Sequence, residues 1–419
     1  MIHGGDHRAT MDETTLMQST QRFSTTLSCI LAVLLGLMQS PSTLLAEEPA
    51  GFVEAALKRR AEVPLGDDFK PNPKSPAFVA VGHGGRILLS RDDGQSWQQV
   101  FWGHPGSDHG PWATKAIAYT NGVFVVPIGW GAPTAWLASE DGIRWRHLTN
   151  GQTKLKGIKE AANDSTVMPS TWGIAGGKGV FVSGGYMQMA ATPDFGKTIT
   201  TFSLYEFKND PRPRKLVTHH VSPVYCGDAS GRFLAIGNDR SKENAVFGNL
   251  WASDDLGKSW KWLEPTLLNE KCDGYSGMVS NGQRVVIADK SGANVFVSED
   301  AGDSWSGPFA TGLDRATLNL VGDEFWLVSH KAARASSDGE TWRDLPRGIP
   351  IGKVIASTTG TLISIDRQRF NILRSTDGGE SWQEAYKFQP ETEVVHGTQG
   401  LRDIAFGYVT SERVSHGNE

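Results

Sequence analysis

Ser90-Arg91-Asp92-Asp93-Gly94-Gln95-Ser96-Trp97 is the stretch whose reading decides the fold. The octet returns at Ser253 to Trp260, Ser298 to Trp305 and Ser375 to Trp382. Versions one residue shorter run from Ser139 to Trp145 and from Ser336 to Trp342, and a degraded copy runs from Thr192 to Ile199. Each residue type has a local task. A Ser hydroxyl and an Asp carboxylate accept from nearby backbone N–H groups, as in ST- and Asx-turns. Gly supplies a positive φ without steric cost. Trp leaves the turn with a large ring to bury between neighbouring units. The octet reads as a turn that carries its own anchor.

The copies begin 38 to 61 residues apart, the span of a four-stranded antiparallel propeller blade. Within a unit, a short apolar strand meets a Gly-containing turn such as Asn121-Gly122, Ser230-Gly231 or Asn281-Gly282. A stronger apolar strand follows, as in Val123 to Ile128 or Phe325 to Val328. Asn-Gly between two apolar runs is a hairpin signal. With 48 Gly and 14 Trp in 419 residues, the composition suits a turn-rich all-β chain with repeated anchors. A formal net charge of -5 gives no reason to expect a nucleic-acid partner.

The Ser-x-Asp-x-Gly-x-x-Trp pattern resembles the Asp-box, or BNR, repeat of sialidase-like β-propellers, over about Phe78 to Tyr408. The resemblance implies a seven-bladed all-β propeller. It also places the boxes between third and fourth strands, on the face opposite the ligand site. The Asp-Asp pairs lack the alternating acidic spacing and terminal Glu of a calcium loop.

The first octet is preceded by only two clear strands, Phe78 to Val81 and Arg86 to Leu89, where every other unit has three. The segment Leu401-Arg402-Asp403-Ile404-Ala405-Phe406-Gly407 is similar to the innermost strand of the second unit. We expect it to complete the first blade and so remove an open sheet edge. The chain then divides into a signal peptide (1–46), a proline-rich lead-in (47–75), the propeller (76–410) and a tail (411–419). The signal reading rests on Arg22, the apolar run from Leu27 to Met38 and a cleavage site after Ala46. The run is too short for a comfortable membrane span. It places the mature chain in the periplasm or outside the cell, with no stable membrane span. Two cysteines remain after cleavage, Cys226 and Cys272. They read either as a disulfide across two blades or as two buried thiols.

Loops alternate between the two faces of a propeller, so residues can be sorted by face. Seven of the eight histidines in the repeats fall opposite the octets: His83, His104, His109, His219, His220, His330 and His396. The loop after each second strand gives, around the ring, His83, Trp130, Tyr186, Asp239-Arg240, Asp289-Lys290, His330-Lys331 and Asp366-Arg367. Four consecutive blades thus offer a cation at one position, with Arg315, Arg369 and Arg402 nearby. Arg presents a planar fork to carboxylate, sulfate or phosphate, and Trp and Tyr stack on sugar rings. The bland alternative is that these dipeptides are turn residues with solvated charges. No tight metal-ligand motif or cofactor fingerprint stands out, so no cofactor is expected.

The leading expectation is recognition of an anionic glycan or acidic polymer on this face. A sialidase-like exo-glycoside hydrolase is the alternative. For it the catalytic candidates are Tyr225 and Tyr275, with Glu243 or Glu270 near, or Asp239, Asp289 and Asp366 as acidic pairs. The Arg-Ile-Pro that sialidases carry near their first blade is absent here. A third reading is a scaffold or assembly factor that binds a protein partner, similar to the seven-bladed assembly factors of photosynthetic membranes.

Overall fold

The structure, a computed structural model, describes residues 74–101, 114–128, 135–148, 171–185, 188–194, 198–204, 219–238, 249–272, 274–368, 370–388 and 400–410. The chain falls into two units, 1–59 and 60–419. The first unit, which holds the segment read as a signal peptide, lies outside the described residues, as do the lead-in to residue 73 and the tail after 410.

The second unit is an all-β propeller of seven four-stranded antiparallel sheets. In six of them the four strands are consecutive in sequence and in space. The first blade departs from this order: Leu401–Thr410 lies innermost, followed by Lys74–Gly82, Arg86–Ser90 and Gln98–Phe101. The closing strand runs three residues past its expected end, and the extension pairs Tyr408 to Thr410 with Lys74 to Pro76. It also grips both neighbours. Asp403 accepts the Ile117 N–H of blade two at 3.1 Å, and the Tyr119 hydroxyl donates to Tyr408 O at 3.0 Å. Toward blade seven, Lys353 Nζ lies 3.7 Å from Asp403, and the Tyr408 hydroxyl bonds Thr358 at 3.1 Å.

The second strand of a blade has sheet on both faces, so its sequence is almost continuously apolar rather than alternating. Val123–Ile128 and Val180–Gly185 are buried at every position. The outermost Ser306–Ala310, by contrast, alternates with exposed residues. Six apolar cores are defined among the described residues, and each lies between two neighbouring blades. Stability therefore resides in the interfaces between blades.

The octets fasten those interfaces. In the fifth blade, Ser298 Oγ donates to Asp300 at 2.8 Å and accepts the Gly302 N–H at 2.7 Å. Asp300 also accepts the Ser304 N–H at 2.8 Å, and the Trp305 indole N–H donates to Gly302 O at 3.1 Å. The same bonds recur at Ser90, Ser253 and Ser375, and in the short copies at Ser139 and Ser336. The degraded copy, which ends in Ile199 and so has no indole to donate, keeps the bonds to the carboxylate with Thr in place of Ser: Thr192 and Thr198 both donate to Asp194.

Each tightened turn bears on the blade before it. Gly302 has φ +97°, and a Cβ there would stand 2.7 Å from Leu234 of blade four. Trp305 packs into the core between those same two blades. An arginine of the preceding blade often completes the contact by donating to the carbonyl that precedes the octet glycine. Arg91 reaches Asp141 O at 2.6 Å, Arg232 reaches Ala301 O at 3.1 Å, and Arg374 reaches Asp93 O at 2.8 Å. The last of these joins blade seven to blade one. Thr359 and Thr361 add bonds to the Asp93 carboxylate, making that residue a latch at the ring's junction.

Two outcomes follow. Truncation before Leu401 removes a strand and both sets of neighbour bonds, so thermal melting of the whole propeller should shift strongly downward; an unchanged melting curve would refute closure. The second concerns acid. Burial works to raise the carboxyls of Asp92, Asp255 and Asp300. Bonds from the paired hydroxyls and backbone N–H groups outweigh it and hold all three below the ordinary value. A carboxyl depressed in the folded state stabilises fully above its unfolded value near pH 4, and that contribution disappears as pH falls toward the folded value. Melting temperature should therefore hold level from neutral pH to about pH 5 and fall below about pH 4. In Asp300→Asn the acid slope should shallow, by up to about one proton taken up on unfolding.

Candidate functional site

Alternating strand direction puts the octets and the first-to-second turns on one face. The second-to-third turns and the blade-to-blade connections make the other. On that second face, successive blades share a local design: one residue closes the turn and its neighbour projects a cation.

In blade five the Asp289 carboxylate accepts from Ser291 Oγ at 2.8 Å, the Ala293 N–H at 3.1 Å and Asn294 Nδ2 at 2.9 Å. Lys290 stands exposed beside it. In blade six, Ser329 takes the closing role: its N–H and its hydroxyl both donate to Ala332 O, at 2.9 and 2.8 Å. His330 and Lys331 are left exposed at the tip. In blade seven, Asp366 accepts the Gln368 N–H at 2.8 Å, while the exposed Arg367 is anchored by its own N–H to Ile351 O at 2.9 Å. Asp289 and Asp366 are thus engaged in Asx-type turns. Neither presents the unencumbered carboxylate that an acid/base pair needs.

Blade one differs. His83 is buried, and its Nε2 accepts from Arg402 Nε at 2.6 Å. An imidazole nitrogen that accepts a hydrogen bond carries no proton, so His83 orients Arg402 rather than meeting a ligand itself. Arg402 also lies 5.9 Å from the Phe370 ring centroid. Behind it, the buried Arg86 sits 4.8 Å from the Phe388 ring. A second cation–aromatic pair joins blades two and three, with Lys115 Nζ 3.7 Å from the Trp172 centroid. Sequence reading missed this pair because its members come from different blades.

Two expectations need correction. Tyr225 ends its inner strand, His219–Tyr225, at the octet face, and its hydroxyl donates to Asp228 at 2.8 Å. Desolvation and Asp228 push this phenol up, away from the ionisation a nucleophile requires. It is also separated from Tyr275, which is buried at the opposite end of the next inner strand, beside Asp289 in register. The proposed disulfide fails for the same geometric reason. Cys226 follows its strand instead of beginning it, and the adjoining Gly227 lies against Gly282 at the octet face. Cys272 caps the short helix Thr266–Lys271 just before the next inner strand, at that strand's other end. A strand's length, on the order of 15–20 Å, separates the two levels, well beyond disulfide reach. Neither cysteine is disulfide-bonded, and both are buried. Cys272 donates to Gly274 O at 3.1 Å, and burial pushes the Cys226 thiol up to about 12.

Trp130, Tyr186, Asp239, Arg240 and Arg369 lie outside the described residues, as do His104, His109 and His396. Glu270 is exposed on the short helix, and Glu243 lies outside the described residues. Among the described residues no group of three His, Cys, Asp or Glu is placed to hold a metal, and no helix is long and apolar enough to cross a membrane.

No family model matches the chain, and no curated protein matches it in sequence. Solved structures share the fold. A functionally unknown protein from Desulfotomaculum acetoxidans is 12% identical, with a TM-score of 0.51 over 81% of this chain and 100% of its own. A putative 6-phosphogluconolactonase from Bacteroides fragilis is 10% identical, with a TM-score of 0.49 over 82% and 100%. YCF48 bound to D1 peptide is 15% identical, with a TM-score of 0.44 over 82% and 98%. At these identities the likeness is one of architecture.

Asp289→Ala deletes three turn bonds. It should lower the unfolding free energy by about 1–3 kcal/mol in denaturant titration. An unaltered midpoint would return Asp289 to the list of free carboxylates.

Proposed function

We propose that this chain is an exported binding propeller that takes an anionic ligand, an acidic glycan, on the face opposite the octets. One observation carries the reading. Lys290, Lys331 and Arg367 project at equivalent turns of three consecutive blades, while Asp289 and Asp366 beside them are held in backbone bonds. Arg402, steadied by His83, continues the arc into blade one, and Arg315 flanks it between blades five and six. Cations from separate rigid blades suit a ligand that carries repeated negative charge along its length. Arg supplies forked donors and Lys a mobile point charge.

The family reading of the octets as Asp boxes agrees with this arrangement, since it assigns them a structural role on the other face. Turnover is less well supported than binding. Two of the carboxylates considered for it close turns, and Tyr225 lies at the wrong face.

The test is a glycan array probed with the purified protein, repeated at rising salt, beside a panel of fluorogenic glycosides and acidic peptides. Acidic glycans should be retained and neutral ones not, with retention falling as salt screens the contacts. Lys331→Ala combined with Arg367→Ala should weaken retention by about tenfold or more. Salt-insensitive retention of neutral glycans would overturn the proposal. Release of fluorophore would move it to the hydrolase reading, and retention of acidic peptides alone to the scaffold reading.

A further inference from the structure

Between blades five and six the rim opens into a depression of about 530 Å³. One wall is the connection Gly312 to Arg315, and the other is the turn Ser329 to Ala332. Arg315 and Asp314 stand on the first wall with 86% and 73% of their side chains exposed, 3.9 Å apart. His330 and Lys331 stand on the second, also exposed.

The walls are firmly held even though their tips are bare. Thr311 is fully buried; its N–H donates to Ala293 O at 2.8 Å and its hydroxyl to Gly292 O at 2.8 Å. Leu313 and Ala316 are buried on either side of the tip. The Arg315 N–H donates to Ser291 O at 2.6 Å, and Arg315 itself adopts φ +55°. A long side chain in the left-handed region is costly and persists only where its surroundings impose it. Here the strain presents a guanidinium at the exposed tip of a connection anchored by the buried Thr311, Leu313 and Ala316. Across from it, Ser329 fixes the backbone beneath Lys331, with the Lys331 and Ala332 N–H groups both directed at its hydroxyl.

We infer that this notch is a subsite for the sulfate ester of a sulfated glycan. The inference rests on the reading of this face as anion-binding and narrows it to one place and one ligand chemistry. Two features select the group. Donors stand on both walls of the notch, which suits a tetrahedral oxyanion with oxygens in several directions better than a planar carboxylate that offers one edge. The fixed charges that line the notch are Arg315, Lys331 and Asp314, a single net positive charge, and the nearby Arg334 is offset by its ion pair with Asp344. That balance matches the one negative charge of a sulfate ester. A phosphate monoester carries about -1.5 to -2 near neutral pH and meets added repulsion from Asp314.

The experiment measures binding of the full-length protein to a sulfated galactan oligosaccharide, its desulfated counterpart, a uronic-acid oligosaccharide and a sugar phosphate monoester. Arg315→Gly is the informative variant because glycine accommodates the backbone at this position without strain. Arg315→Gly and Lys331→Ala should each cut the preference for sulfated over desulfated ligand by about tenfold. Arg367→Ala should weaken sulfated and uronic-acid ligands alike and leave their ratio unchanged. Asp314→Asn should raise binding of the phosphate monoester relative to the sulfate ester. If acidic ligands bind and Arg367→Ala weakens them while Arg315→Gly and Lys331→Ala leave the sulfate preference intact, the notch is not the subsite and the wider reading stands. If no acidic ligand binds at all, both fall.

Discussion

The hydroxyl–carboxylate pair at the heart of each octet is the interaction on which the rest of the propeller depends. Ser298 and Asp300, and their equivalents, satisfy the turn's own polar groups and leave Gly302 flat enough to meet Leu234 across the interface. The bonds within a single turn are individually modest, and those made by the second hydroxyl, such as Ser304, are exposed. Their effect comes from position. They fix the Trp ring and the glycine against the preceding blade, where the six apolar cores lie. A polar motif thereby governs hydrophobic burial that it does not itself supply.

Concentrating that task on one face leaves the other freer to vary. Across from the octets, the described turns of blades five, six, seven and one are closed differently: by Asp289, by Ser329, by Asp366 and by the short helical turn His83–Gly85. In blades five to seven a cation accompanies the closing residue, and in blade one Arg402 reaches the turn from the closing strand. This is the pattern expected where a rigid scaffold presents loops for binding. The strained Arg315, anchored to the turn that carries Lys290, shows that the cations are held by common framework bonds.

The architecture was legible because the bonds that shape each octet turn close within four positions, so sequence spacing and local contact coincide. The closing strand was legible by counting, since one blade lacked a strand that Leu401 onward could supply. Register was harder. Cys226 follows its inner strand while Cys272 precedes the next one, so a strand's length parts two cysteines that sequence left open as a pair. The acidic candidates failed to separate for a chemical reason: an Asp that closes a turn and an Asp that moves a proton are identical as letters, and only the bonds to Ser291 or Gln368 distinguish them. Pairs such as Lys115 with Trp172, and Asp93 with Arg374, join distant blades and leave no local pattern.

The polarity of the octet contact has a consequence for biogenesis. Every blade leans on the one synthesised before it, except the first, whose Asp93 must wait for Arg374, Thr359 and Thr361, and whose inner edge must wait for residue 401. As the chain emerges from the ribosome, blades two to seven can dock in order onto a finished predecessor. The earliest blade meanwhile keeps an unsealed flank and an unpaired strand edge until residues 401–410 have been made. Completion of the ring is thus reserved for that strand, and a nascent chain that stalls short of it carries an adhesive β-edge of the kind that recruits chaperones or another copy of itself.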